Sequence, residues 1–245
     1  MTALVVLLVA LVVVVGAIWW SRQKSLERQR KQLEDDKAEA RRWTERLGGQ
    51  VLNLIGTNEP AKQAMADAAE RHGAAVSQLD QVTTANQARL TTESALEGLH
   101  YVRAARLAMD MDPGPELPAL TGQIHAGSVS EFREVEVDGK QQVASPEPTE
   151  RTPHYYPGGT VAGRPVPQGW YSDPWWKPAM AAGMWGAGSY MLMGALFAGM
   201  ATVPAEAAAA DGMSGDPGMD GGAEGLDGFN DGGGVDGFDF GGFGF

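Results

Sequence analysis

The sequence predicts a mainly α membrane protein: an N-terminal transmembrane helix, a cytoplasmic antiparallel helical hairpin, a Pro/Gly/aromatic module with a candidate small β-hairpin, and a disordered tail. Three observations predict this class. Thr2 to Trp20 carries no charge and is built almost wholly from Leu, Val and Ala. Two apolar stripes at helical spacing follow between Asn58 and Asp112, and the Gly and Pro residues gather toward the C-terminal half. The boundaries read as 1–20 transmembrane helix, 21–48 juxtamembrane charged helix, 50–112 helical hairpin, 113–177 aromatic module, 178–203 membrane or buried helix, and 204–245 disordered acidic Gly/Phe tail.

The first segment spans about 28 Å as a helix, close to the hydrocarbon thickness of a bilayer. Its valines would suit a strand in water, but in lipid a lone strand leaves its backbone groups unpaired. A cleaved signal peptide needs a basic n-region, a short apolar core and small residues before the cut. Only Met1 and Thr2 precede this run, and Trp19-Trp20 suits a membrane interface better than a peptidase site. The expected element is an uncleaved anchor. Arg22, Lys24, Arg28, Arg30 and Lys31 follow at once, which places the N-terminus outside and the body in the cytoplasm.

Ser21 to Leu47 is rich in helix formers and meets Gly48-Gly49, a helix stop. Leu26, Leu33, Ala40 and Leu47 recur every seven residues, yet the second seam positions are Arg30, Lys37 and Thr44, so a solvated helix is expected over a zipper. Its basic start can also touch anionic headgroups. Asn58 before Glu59-Pro60 reads as an N-cap with an acidic first turn. The helix it opens carries Ala61, Met65, Ala68, His72, Ala75 or Val76 and Leu79 on one face, with Lys62, Asp67, Glu70 and Arg71 on the other. After a break at Thr83-Thr84, a second helix runs to about Asp110 with Thr92, Ala95 or Leu96, Leu99, Val102, Arg106 and Met109 in line, and the patch from Val51 to Ile55 is a third contact.

Pro113, Pro115 and Pro118 enforce an extended linker. In 132–143, Asp138-Gly139 between two β-prone runs signals a two-residue hairpin turn. Ser145 to Lys177 interleaves Pro and Gly with rings, and is expected to pack by aromatic burial, without regular structure, against the helices or the membrane. His154, Tyr155, Tyr156, Trp170, Tyr171, Trp175 and Trp176 form the candidate interaction surface, with a packed loop of buried rings as the plainer reading. Pro178 to Val203 is uncharged, with small residues four apart at Gly183 and Ala187 and again at Gly194, Ala198 and Thr202, and reads as a second span or as a buried or interfacial helix. The tail beyond it cannot bury a core.

Composition bounds the function. The net charge is -12, and no Lys or Arg follows Lys177, which argues against nucleic acid as a partner. There is no Cys, hence no thiolate metal site and no Cys nucleophile. His72, His100, His125 and His154 are scattered, and no HExxH, GxSxG, P-loop or GxGxxG occurs. No catalytic, cofactor-binding or metal-ligating set is expected. The strings LIGTNEPAKQAMADAAERHGAA, ALEGLHYVRAARLAMDMDPGPELP and PHYYPGGTVAGRPVPQGWYSDPWWKP resemble a family of uncharacterised actinobacterial membrane proteins, over roughly Leu54 to Ala187. The resemblance implies an N-terminal membrane segment and an actinobacterial source, and it carries over no catalytic residue. The function expected is binding or scaffolding at the membrane, with the lipid bilayer and another protein as partners. The alternative is an accessory subunit of an envelope or transport complex.

Overall fold

A 52-residue helix, α1 (Thr2–Asn53), begins the chain in the computed structural model, which describes residues 2–208, with only the backbone for 2–18 and for the side-chain position at 187. Of the tail assigned to 204–245, residues 209–245 lie outside the described residues; its start is corrected, since Ala205–Ala208 forms a helical turn with Ala207 buried. Among the described residues no helix is long and apolar enough to cross a membrane. The side chains of the apolar N-terminal run fall outside them.

Two expectations about α1 are corrected. The helix does not stop at Gly48-Gly49, because Gly48 serves close packing: a Cβ there would lie 2.7 Å from Nε2 of His72. Nor is the 21–48 segment solvated throughout and separate from a hairpin: residues 21–35 are mostly exposed as expected, but the end of the segment packs. Ala40, Thr44 and Leu47 are buried and Val51 is half-buried, a stripe at spacings of four, three and four that faces the next two helices. The heptad seam is real, but its upper half is not closed, since Leu26 remains 53 % exposed. Thr44 is accommodated because its hydroxyl donates to the Ala40 carbonyl at 2.8 Å.

α2 (Glu59–Asp80) starts where the cap was read: the Asn58 side chain accepts from the Ala61 N–H, with Pro60 in the first turn. α3 (Ala85–Ala108) opens on a capping box in which Thr84 and Gln87 satisfy each other's backbone N–H. The α1–α3 helices form a three-helix layer with α3 in contact with both others. This position explains why α3 buries more than one stripe, including Ala88, Thr91, Gly98, Tyr101 and Ala105 besides the predicted Ala95, Leu96, Leu99 and Val102. In α2, Val76 is 41 % exposed, and Asp67, assigned to the polar face, is buried. A second layer covers that face.

The second layer is a sheet. After the linker and α4 (Gln123–Ala126), β1 (Arg133–Val137) and β2 (Lys140–Ser145) form the expected hairpin, with Asp138 at φ 52° and Gly139 at φ 73°, the two left-handed positions of a type I′ turn. Regular structure continues where none was expected. β3 (His154–Tyr156) and β6 (Gly169–Tyr171) complete an antiparallel four-stranded sheet in the order β1-β2-β6-β3, and β4 (Gly159–Val161) pairs with β5 (Arg164–Val166) in a separate hairpin. Short strands alone would be marginal. They hold here because both faces of the sheet are covered.

The cover on the far face comes from 178–203. That stretch is not one helix: α5 (Lys177–Ala182) ends at Gly183, whose φ of 68° is left-handed, and α6 (Ala187–Phe197) has only 11 residues. At about 1.5 Å per residue α6 is roughly half as long as a bilayer core requires. Met193, Leu196 and Phe197 are fully buried in one cluster with Tyr171 and Trp176. Of the two expectations for this stretch, the structure shows the buried helix, folded on the chain's own sheet. α7 (Ala205–Ala208) closes the described chain.

Candidate functional site

Strand geometry sends successive side chains to opposite faces, and the aromatic doublets obey it. Tyr155 and Trp170, directly paired across β3 and β6, join the helical core with rings 5.0 Å apart, and Tyr155 meets Tyr101 of α3 edge to face at 6.1 Å. Tyr156 and Tyr171 point the other way, into the cluster with Trp176, Trp185 and Phe197. The seven candidate surface residues are therefore brought together, but as core. Tyr155, Tyr156, Trp170, Tyr171 and Trp176 are buried, and only His154 and Trp175 are half-buried. As an exposed docking surface the set is corrected, because alternation on a sheet covered on both sides buries both members of each doublet.

The polar groups that this packing encloses were not singled out in the sequence. Lys177 Nζ lies 2.7 Å from Oδ1 of Asp67 and 3.6 Å from Oε2 of Glu70, joining the start of α5 to the middle of α2. Burial works against the Lys177 ammonium, but the Asp67 hydrogen bond and the charges of Asp67 and Glu70 outweigh it and raise its pKa. One turn on, Nε of Arg71 faces Oε1 of Glu97 at 3.3 Å, and Nη2 of Arg71 reaches the Met180 sulfur. The Arg71 pair is close in charge but not aligned, so Oε1 of Glu97 is buried with no hydrogen bond. Desolvation consequently raises the Glu97 pKa, and the Arg71 charge offsets it only in part.

Glu97 lines a cavity of about 180 Å³ with Glu93, Thr121, Tyr156, Thr160 and Met180. The phenols nearby stay protonated. Burial pushes Tyr101 and Tyr156 well up, with the Glu97 charge adding to it, and raises Tyr155 to about 12 although Gln168 donates to its oxygen. The arrangement is a charged latch between the helical layer and the sheet layer. The signal for it was weak: Asp67, Glu70 and Arg71 sit at spacings of three and four on α2, which by itself reads as a solvated ion-pair ladder.

The four histidines stay apart. His72 packs at Gly48, His100 bonds the Pro118 carbonyl at 3.1 Å, His125 meets Glu206 at 3.1 Å, and Nδ1 of His154 is buried without a partner. Among the described residues no three His, Asp or Glu side chains gather as metal ligands. Compared with protein-family models, curated proteins and solved structures, the chain gives no match.

Proposed function

We propose that the chain is a membrane-anchored binding or scaffold protein, held in the bilayer by the apolar run from Thr2 to Trp20 and presenting its layered body to a protein partner in the cytoplasm. The observation that carries this reading is the continuity of α1. One helix contains the apolar run, the basic stretch after it, and the Ala40, Thr44 and Leu47 stripe buried in the body, so no hinge of irregular backbone separates anchor from domain. Trp19 and Trp20 are exposed at the foot of the described side chains, and Lys24 lies 3.9 Å over the Trp20 ring, an arrangement suited to a headgroup region. The resemblance to actinobacterial membrane proteins favours the same reading.

Membrane fractionation tests the anchor. The full-length chain should stay with membranes through an alkaline carbonate wash and leave them only with detergent, and a version lacking residues 2–20 should not. Recovery of the full-length chain in the carbonate supernatant would overturn the proposal. Orientation is read with a cysteine at Lys62, which is exposed at the start of α2, in a chain that has no other cysteine. An impermeant thiol reagent should label it only after lysis. Labelling in intact cells would reverse the topology.

A further inference from the structure

Between α1 and α3, three arginines from the two helices converge on one cavity. α1 contributes Arg46 and Gln50, and α3 contributes Arg103 and Arg106 over a floor of Leu99 and Val102. The linker from Pro113 to Leu117 closes a space of about 90 Å³. No acidic side chain lines it. Among the described residues none of the three guanidinium groups is paired with a carboxylate, in a chain where acids outnumber bases 31 to 19. Asp112, just before the linker, accepts at its Oδ1 from the Gly114 N–H at 3.0 Å.

What the arginines do contact is neutral. Arg103 Nη1 donates to the carbonyls of Gly114 and Pro115, at 3.3 and 3.1 Å. Arg106 donates from Nη2 to Oε1 of Gln50 at 2.7 Å and from Nη1 to the Asp112 carbonyl at 3.5 Å, while its Nε is buried with no acceptor. Arg46 lies over the Trp43 ring at 5.2 Å. The neutral contacts explain how Arg103 and Arg106 are oriented, and they explain the shape of the linker. They leave three positive charges uncompensated around one space; Arg46 is exposed, and the half-buried Arg103 and Arg106 bear a desolvation cost that an anion would offset.

We infer that this cavity is a binding site for one small oxyanion of the phosphate class, held by Arg46, Arg103 and Arg106. A guanidinium presents a planar fork of donors that matches phosphate or carboxylate oxygens, and phosphate's higher charge suits three of them. The cavity's size admits one such group rather than an extended molecule. A lipid headgroup has the same chemistry, but Arg46 stands 26 positions beyond Trp20 on one helix, about 39 Å along its axis. The ligand is therefore a free anion. The site itself stands on geometry independent of the membrane anchor, and the exclusion of a headgroup rests on the proposed anchor.

The test is calorimetric titration of inorganic phosphate into the full-length chain in a neutral detergent, with chloride replacing phosphate at constant ionic strength in the control. One saturable event is expected, weakened about tenfold or more in Arg46→Gln, the loss appropriate to one charge-assisted hydrogen bond. Arg46 is exposed and clamps no backbone, so this variant should melt like the parent in phosphate-free buffer. Arg42→Gln, on the outer side of α1, should bind like the parent. Phosphate should raise the melting temperature of the parent and not that of Arg46→Gln. No saturation at tens of millimolar phosphate, or equal binding by parent and Arg46→Gln, would overturn the site. Repeating the titration in phosphatidylcholine and phosphatidylglycerol nanodiscs distinguishes the sources. Equal affinity in both supports the free anion, and weaker apparent affinity in phosphatidylglycerol would assign the cavity to a headgroup instead.

Discussion

Replacing Lys177 by Met should loosen the sheet layer from the helices more than any surface substitution can. The Asp67 carboxylate that Lys177 neutralises has a side chain only 6 % exposed, and its hydrogen bond to Nζ is 2.7 Å long. Stranding a fully buried charge costs about 3 to 5 kcal/mol. Lys177 itself is 36 % exposed, so water can follow into the gap, and about 2 to 3 kcal/mol is the better figure. In a chain of this size that corresponds to a fall in melting temperature of about 4 to 12 °C. Near-ultraviolet circular dichroism reads it directly, because Trp170, Trp176 and Trp185 are buried in the layers that Lys177 joins. Adding Asp67→Asn should restore part of the loss, since the stranded charge is then gone. The sign with pH follows from the raised Lys177 pKa: its contribution is complete below the unfolded value of 10.5 and disappears as pH rises through the higher folded value. The gap between parent and variant should be flat from about pH 7 to 9 and close only in stronger alkali. A Lys177→Met chain that melts with the parent, or a double variant worse than both singles combined, would refute the latch.

Glu97 predicts the same sign in a more acid window. Its folded pKa is raised above 4.5 by burial, so its stabilising contribution is complete below 4.5 and is lost as pH rises through the folded value. Glu97→Gln should gain melting temperature relative to the parent as pH rises from 4.5 through that folded value, and a constant difference would show that Arg71 compensates Glu97 fully. Leu47→Ala tests whether α1 is part of the body: Leu47 is fully buried and its Cδ2 would lie 2.4 Å from a Cβ on Gly98, so truncation should cost about 2 to 5 kcal/mol in a denaturant midpoint. An unchanged midpoint would mean that α1 hangs free of the other helices.

Local signals were legible because their physics is local. Asn58 with Pro60 and Asp138-Gly139 each satisfy backbone groups within a few residues, and each lies where the sequence put it, as does the break at Thr83-Thr84, where the structure adds the Thr84–Gln87 capping box. Failures came where a distant partner decides. Gly48-Gly49 has the composition of a stop, yet His72 on another helix turns Gly48 into a contact point. Asp67 and Arg71 have the spacing of a solvated face, yet Lys177 and Glu97 cover them. The aromatic doublets could have been read as strands buried on both faces, because period 2 assigns one ring of Tyr155-Tyr156 and of Trp170-Tyr171 to each side. Three-residue strands set among Pro and Gly give too little pattern to compel that reading. The arginine cavity was invisible for the same reason as the latch: Arg46 and Arg103 are far apart in the chain, and only the packing of α1 on α3 makes them neighbours.

The uncharged stretch from Pro178 to Val203 shows why hydropathy alone could not divide membrane from core. A helix that is apolar all round belongs in lipid or in the middle of a protein, and its side chains do not say which. Length decides, and length is set by backbone breaks. Gly183 at φ 68° and Gly199 at φ 78° take left-handed conformations that side chains resist, and they leave α6 between them with 11 residues. A segment that short satisfies its hydrogen bonds but cannot reach across a bilayer, so its apolar surface must find a cover nearby. The far face of the sheet, with Tyr156, Tyr171 and Trp176, supplies it. The sheet needs α6 as much as α6 needs the sheet, because strands of three residues have no stability of their own. The apolar stretch thus closes the body.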